Sequence, residues 1–87
     1  MRIWIREIFN NKPIKDTVVI DNSSESRTHK VFSALEQACN EFDLCIPIWL
    51  DKNINDFKYH SRTKFNSDSF VEAIEFDYLD FQVLEED

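Results

Sequence analysis

The chain contains no glycine among its 87 residues. Glycine adopts positive φ without strain and lets the backbone approach a phosphate closely, so its absence excludes Walker-type and dinucleotide-binding phosphate loops. Turns that require positive φ must fall to Asn or Asp, which tolerate that region best among the other residues. The asparagines that lie in polar stretches are the candidates for this role: Asn10, Asn11, Asn22, Asn53, Asn55 and Asn66.

The length predicts one domain, residues 1–87, with a thin core to which eight Phe and two Trp contribute. Two cysteines, Cys39 and Cys45, are too few for a disulfide scaffold. Charged residues interrupt the apolar residues of the N-terminus, and no apolar run is long enough to span a bilayer. We therefore expect a cytoplasmic protein that does not associate with membranes.

The first twenty residues predict a β-hairpin. Over residues 2–9, Ile3 and Ile5 lie on one face with Glu7 as an exception, whereas Trp4 and Arg6 lie on the other. The stretch 10–13 reads as a turn, and residues 14–21 alternate as a return strand. The face that carries Trp4 could stack on bases, but covering the back of the sheet is the more common role of such residues.

A single apolar stripe predicts the longest helix, from about Thr28 to Asp43. Its members recur at the helical period: Val31, Phe32, Leu35, Ala38, Cys39 and Phe42. Three basic residues precede or open this helix and oppose its dipole, which is a weak indication of an interaction site or of salt bridges to the acidic C-terminus: Arg27, His29 and Lys30.

The second half alternates between extended and helical patterns. Residues 44–50 are apolar around Pro47, which predicts an edge strand or an extended crossing segment. A short helix is expected near 52–58, an extended stretch over 61–65 and a last strand over 74–84, with a β-bulge near Tyr78 and Leu79 where the alternation slips. The order β-β-α-β-(short α)-β-β predicts an α+β fold, in which one long helix packs on one face of an antiparallel sheet.

Basic residues alternate with other residues between Phe57 and Phe65. If this stretch is extended, one face carries Lys58, His60, Arg62 and Lys64, an anion-binding strip for an acidic partner or nucleic acid. Internal neutralisation by Glu75 and Asp77 of the last strand is the favoured alternative. If residues 52–60 are helical, only the two basic residues beyond them remain aligned.

The acidic residues are concentrated at the C-terminal end. Residues 68–87 carry eight carboxylates and no Lys or Arg, a net charge of −8, whereas residues 1–67 carry a net charge of +1. Carboxylates at regular spacing on a strand, Asp77 and Asp80 among them, can imitate the phosphates of a duplex. Solubility alone is the alternative explanation.

No pattern of residues indicates catalysis or a bound cofactor. Cys39 lies on the apolar stripe and reads as core, and nothing orients a histidine toward Cys45. The two cysteines with His29 and His60 lack the short spacings of a zinc site. Glu75 and Asp77 could form a carboxylate pair for acid–base chemistry, but a solvated strand face is favoured. We assign no catalytic residue, metal or cofactor.

Three segments resemble a group of short bacterial proteins of uncharacterised activity. They are residues 27–36, Arg-Thr-His-Lys-Val-Phe-Ser-Ala-Leu-Glu, residues 47–51, Pro-Ile-Trp-Leu-Asp, and residues 75–80, Glu-Phe-Asp-Tyr-Leu-Asp. The resemblance extends over nearly the whole chain. It implies a shared compact fold and supplies no activity, cofactor or site.

These observations favour a small cytoplasmic bacterial binding or regulatory protein that acts through surface contacts with a protein partner and has no catalysis of its own. The alternatives are an acidic, nucleic-acid-mimicking inhibitor of a nucleic-acid-binding enzyme, and a small enzyme whose site is not identified. Direct nucleic-acid binding is not expected, and a homodimer is possible. The candidate partner-binding residues are Lys58, His60, Arg62, Lys64, Glu75, Asp77 and Asp80.

Overall fold

The N-terminal residues form the predicted hairpin. The computed structural model describes all residues, 1–87, and its first two strands are β1 (Arg2–Phe9) and β2 (Lys12–Ile20), paired antiparallel. The turn between them places Asn10 at φ 52° and Asn11 at φ 64°. Two consecutive residues at positive φ match the right-handed twist of a hairpin, so asparagine performs the role that glycine usually has. The other four candidate asparagines do not adopt positive φ; Asp43 and Ser61 do.

Two later strands complete a four-stranded antiparallel sheet. They are β3 (Arg62–Phe65) and β4 (Tyr78–Glu85), and the strand order is β2-β1-β4-β3. The first and last strands of the chain are therefore central neighbours, with Ile5 opposite Phe81 and Arg6 opposite Asp80. This arrangement confirms the α+β prediction and the antiparallel sheet.

Helix α1 (Arg27–Glu41) packs on one face of the sheet, as predicted. It begins where the hydroxyl of Ser26 accepts a hydrogen bond from the His29 N–H at 3.1 Å, a typical N-cap. Its apolar stripe buries Leu35 and Cys39 against the inward side chains of the sheet, Ile3, Ile5 and Phe81 among them. Neither α1 nor any other helix is long and apolar enough to cross a membrane.

The segment between the two helices contains no strand, so the β element expected over 44–50 is wrong and the extended alternative is correct. Pro47 is buried in it, and its Ile48 N–H donates to the Ser69 carbonyl at 2.7 Å. This single hydrogen bond does not extend into a β-ladder, because Pro47 has no N–H to donate to a neighbouring strand. Helix α2 follows as Asp51–His60 and is longer at its C-terminal end than predicted.

The last strand begins later than the sequence suggested. It starts at Tyr78, after a 3₁₀ turn at Ser67–Ser69 and an irregular stretch. Within the strand, Leu79 and Phe81 face the core in regular alternation, so no bulge forms at Tyr78 and Leu79. The apparent slip arises because Ile74 and Phe76 precede the strand, where period-two geometry does not apply.

A buried asparagine fastens α2 to β3. Asn53 is 0% exposed, and its Oδ1 accepts from the Leu50 N–H at 3.0 Å. Its Nδ2 donates to the Thr63 hydroxyl and to the Lys64 carbonyl, both at 2.9 Å. Because these bonds join the start of the helix to a strand, they fix where the exposed face of α2 lies.

Candidate functional site

An apolar groove lies between the N-terminal half of α1 and the exposed face of α2. Its volume is about 380 Å³, within the range of natural ligand sites, roughly 300–1,000 Å³. Five of its eight lining residues are hydrophobic: Val31, Phe32, Trp49, Ile54 and Phe57. The other three are polar or basic: Arg27, Thr28 and Lys58. No Cys, His, Asp or Glu lines the groove, so its wall offers no nucleophilic thiol and no acid–base pair.

Trp49 connects the wall of the groove to the core. Its indole packs edge-on against Phe57 at 5.5 Å, Phe65 at 4.9 Å and Phe81 at 6.0 Å between ring centroids. Edge-to-face aromatic pairs at these separations are favourable beyond their buried area. The indole Nε1–H is buried yet donates to no acceptor. A buried indole N–H normally finds a partner, so this wall contains one unsatisfied donor.

Two apolar side chains of the groove remain open to solvent. Phe32 is 53% exposed and Ile54 is 51% exposed, and the Phe32 ring contacts Trp49 edge-on at 6.0 Å. The sequence pattern placed Phe32 in the core stripe, but adjacent positions such as Val31 and Phe32 differ by about 100° around a helix. A stripe of that width extends beyond the surface that the sheet can cover, and Phe32 is at its uncovered edge.

Cationic groups flank the apolar wall. The Arg27 guanidinium lies over the Phe57 ring at 5.0 Å and donates to both carboxylate oxygens of Glu86, at 2.9 and 3.1 Å. This hydrogen bonding raises the pKa of Arg27 and lowers that of Glu86. Lys58 forms no ion pair. No acidic residue occupies the first turn of α1, so the positive end of its dipole adds to the charge at this rim.

The four predicted basic residues do not form one strip. Because α2 continues to His60, Lys58 and His60 belong to its last turn, whereas Arg62 and Lys64 lie on β3. Only the latter two share a face, as the helical alternative required. Lys64 lies over the Tyr78 ring at 4.7 Å, so its charge is directed at a neighbouring strand of the same sheet.

Asp80 neutralises two arginines on the sheet face opposite α1. It is 1% exposed, accepts from Arg62 at 3.0 and 2.9 Å and forms a short ion pair with Arg6. Hydrogen bonding to Asp80 raises the pKa of Arg62. Arg6 also stacks over Trp4 at 4.1 Å from the ring centroid. The internal neutralisation expected from Glu75 and Asp77 is therefore performed by a different carboxylate.

Glu75 and Asp77 precede β4 and do not pair with the basic residues. The Asp77 carboxylate accepts from the Asn10 N–H at 2.9 Å, and the Asp77 N–H donates to the Ile8 carbonyl at 2.8 Å. Asp77 thus connects the segment before β4 to the hairpin by two hydrogen bonds. Glu75 lies on the lining of a second cavity, at the other end of α1. The carboxylate pair considered for acid–base chemistry has no shared strand face.

The thiols are not activated. Burial raises the pKa of Cys39 to about 11, which agrees with its place in the core. Cys45 is exposed, and hydrogen bonding to the neighbouring Glu72 carboxylate, together with its negative charge, raises the pKa of that thiol. No three of the His, Cys, Asp and Glu side chains come together as a set that could hold a metal ion.

Trp49 and Ile54 line the groove although the sequence pattern did not mark them as site residues. The sequence signal that could have identified them is an apolar segment around Pro47 followed directly by α2, an amphipathic helix with few apolar positions. Searches against protein-family models, curated proteins and solved structures each found no match to this chain. The resemblance of three segments to a group of bacterial proteins stays a prediction.

Proposed function

We propose that this protein is a non-catalytic binding module whose groove receives an apolar segment of a protein partner, with an acidic side chain of that segment at the rim. The observation that carries the proposal is the open apolar wall formed by Phe32 and Ile54 beside Lys58, a cation with no acidic partner. Exposed apolar surface rimmed by polar groups is typical of interaction sites.

A protein segment fits this groove better than an enclosed small ligand. Ligand pockets usually enclose their ligand and bury roughly 70–90% of a drug-sized molecule, whereas this groove is open, since its side chains Phe32 and Ile54 are each about half exposed. A partner that brings its own surrounding surface would cover both side chains.

Charge complementarity favours an acidic partner segment. Lys58 and the N-terminal turn of α1 supply positive potential, whereas the charge of Arg27 is balanced by its ion pair with Glu86. The C-terminal carboxylates are less available to a partner, because Asp80, Glu86 and Asp87 pair within the chain. These ion pairs also occupy carboxylates that a nucleic-acid-mimicking inhibitor would need to present to its target.

The test is selection from a random-peptide display library on the wild-type protein, after depletion on a Phe32→Glu variant. We expect enriched peptides that place one or two large apolar residues next to Asp or Glu. Binding of a selected peptide would be followed by Trp49 fluorescence in a Trp4→Phe background, where Trp49 is the only tryptophan.

Charge reversal supplies the matched control. Lys58→Glu should weaken binding of the selected peptide by about 3- to 10-fold. Lys12→Glu, which reverses the charge of another exposed lysine, in the hairpin, should leave the affinity unchanged. Failure of the wild-type protein to enrich any peptide over the Phe32→Glu variant would overturn the proposal.

A further inference from the structure

A second cavity, of about 320 Å³, lies at the opposite end of α1 from the groove. It is bounded by the end of that helix and the residues just after it, by Glu7 and Lys15 of the paired strands β1 and β2, and by the irregular stretch before β4. The buried side chain of Glu7 forms part of its lining. The groove and this cavity share no lining residue, so they are two separate sites.

Glu7 is an unpaired carboxylate that faces this cavity. It is 3% exposed, its Oε2 has no hydrogen-bond partner, and it takes part in no ion pair. Burial raises the pKa of Glu7, and the charge of Lys15 on the neighbouring strand opposes that rise. A buried carboxylate without a partner is costly, so a natural protein rarely keeps one unless a ligand or a proton satisfies it.

The surroundings of Glu7 are predominantly negative. Three further carboxylates line the cavity, Asp43, Glu72 and Glu75, against the single ammonium of Lys15. The last turn of α1 contains no basic side chain, so its free carbonyls add negative potential at the same place. The nearby thiols do not add to this negative charge, because burial raises the pKa of Cys39 to about 11 and the neighbouring Glu72 raises the pKa of Cys45.

Apolar side chains occupy the rest of the lining. Phe42, Phe70 and Phe76 contribute aromatic rings, and the last two pack edge-on at 6.0 Å. The exposed lining of the cavity is mostly polar, so the rings offer only a limited apolar surface beside the carboxylates, which do not assemble into a metal-binding set. The required ligand therefore combines one positive charge, able to donate hydrogen bonds, with a short apolar body.

We propose that this cavity binds a primary alkylammonium group, whose N–H donors pair with Glu7 while its alkyl chain packs on the phenylalanine rings. The ammonium supplies the donor that Oε2 lacks and neutralises part of the surrounding negative charge. A free small amine and a lysine side chain carry this same chemistry.

The probe is n-pentylammonium chloride, titrated into the ¹⁵N-labelled protein near neutral pH at constant ionic strength. We expect saturable shifts of the amides of Glu7, Phe42 and Phe76, and no saturable shifts with n-pentanol, which has the same chain without the charge. Glu7→Gln should weaken binding at least about tenfold, whereas Glu36→Gln, an exposed glutamate on the outer face of α1, should not. Equal affinity in the wild type and Glu7→Gln, or a pentanol response equal to that of the amine, would overturn the proposal.

A measurement on the unaltered protein makes the test independent of any variant. Ligand binding and protonation are linked reciprocally, so bound ammonium must lower the pKa of Glu7. The ¹³C carboxyl signal of Glu7 should titrate at lower pH with saturating pentylammonium than with sodium chloride, and an unchanged midpoint contradicts the assignment. Nα-acetyl-lysine N-methylamide distinguishes the sources: binding comparable to that of pentylammonium indicates a lysine of a protein, and much weaker binding a free amine.

Discussion

Replacement of Asn53 by alanine tests whether one buried side chain holds α2, and with it the groove, in position. The side chain is 0% exposed, and both ends of its amide are used. Oδ1 accepts from the Leu50 N–H and, at 3.4 Å, from the Ser69 hydroxyl. Nδ2 donates to Thr63 and to the Lys64 carbonyl. Alanine would remove all of these bonds and leave a small cavity.

The expected loss of stability depends on the partners that remain. The Leu50 N–H loses a bond equivalent to a helix cap, which costs about 1 kcal/mol. The Lys64 carbonyl and Thr63 hydroxyl become unsatisfied in a buried place, at about 1 kcal/mol each at the low end of the measured range, because the hydroxyl can rotate and a water can enter. The sum is about 3 kcal/mol, a large fraction of the roughly 4–13 kcal/mol that a domain of this length has in total.

Urea denaturation followed by fluorescence is the appropriate assay. With an m-value of about 1–1.5 kcal/mol/M, the midpoint of Asn53→Ala should fall by about 2–3 M at unchanged slope. Asn55→Ala is the matched control, since Asn55 is exposed on the same helix and should change the free energy of unfolding by less than about 0.5 kcal/mol. If Asn53→Ala and Asn55→Ala unfold at the same midpoint, the network does not fasten α2 and the reasoning is refuted.

Three further expectations concern Glu7, the two thiols and Asp80. Glu7→Gln should be more stable than the wild type at about pH 7.5 and lose that advantage by about pH 4. The pKa of Glu7 is raised in the folded state, so above that pKa the charged side chain destabilises the fold. Below the pKa of Glu7 in the unfolded chain, the side chain is protonated in both states and the difference disappears. Urea denaturation at both pH values checks this, and an advantage independent of pH would contradict it. A thiol reagent should modify only Cys45 in the native protein and Cys39 as well in urea, which mass spectrometry detects. Asp80→Asn should lower the free energy of unfolding by about 2 kcal/mol, less than for a fully buried pair because Arg62 is 42% exposed.

Local patterns predicted most of the fold. The hydrophobic periodicity of the sequence matches the element that forms in four places: the hairpin, α1, α2 and the extended stretch at β3. The strand expected over 44–50 failed because apolar composition does not distinguish a strand from a buried connection, and Pro47 left both open. The start of β4 was placed too early because Ile74 and Phe76 are apolar for a different reason: they pack against the core from an irregular segment.

The site was harder to predict because it depends on contacts between elements. Whether Lys58 and His60 joined Arg62 and Lys64 in one strip depended on where α2 ends, and boundaries are the least determined part of a sequence pattern. Which carboxylate neutralises the arginines depended on register: Asp80 lies opposite Arg6 in the β1–β4 pair. No local pattern contains that information.

Glu7 shows that a local exception can be informative. Its position shares the inward face with Ile3 and Ile5, and the alternation therefore predicts a buried side chain there. The structure buries it as the alternation requires, without providing a partner. A single acid at a core position of an amphipathic strand is the kind of local inconsistency that marks functional sites, because burying it lowers stability.

The groove itself arises from how two helices of unequal length cover four strands. Helix α1 contacts β1 and β2, α2 contacts β3, and the two helices have little direct contact. A seam must therefore remain above β4, and Trp49 fills its floor by packing on Phe57, Phe65 and Phe81 at once. Because an aromatic ring from the connecting segment closes the core there, the facing sides of α1 and α2 stay apart and keep their apolar residues at the surface. The same packing that completes the core thus leaves an apolar groove open to a partner.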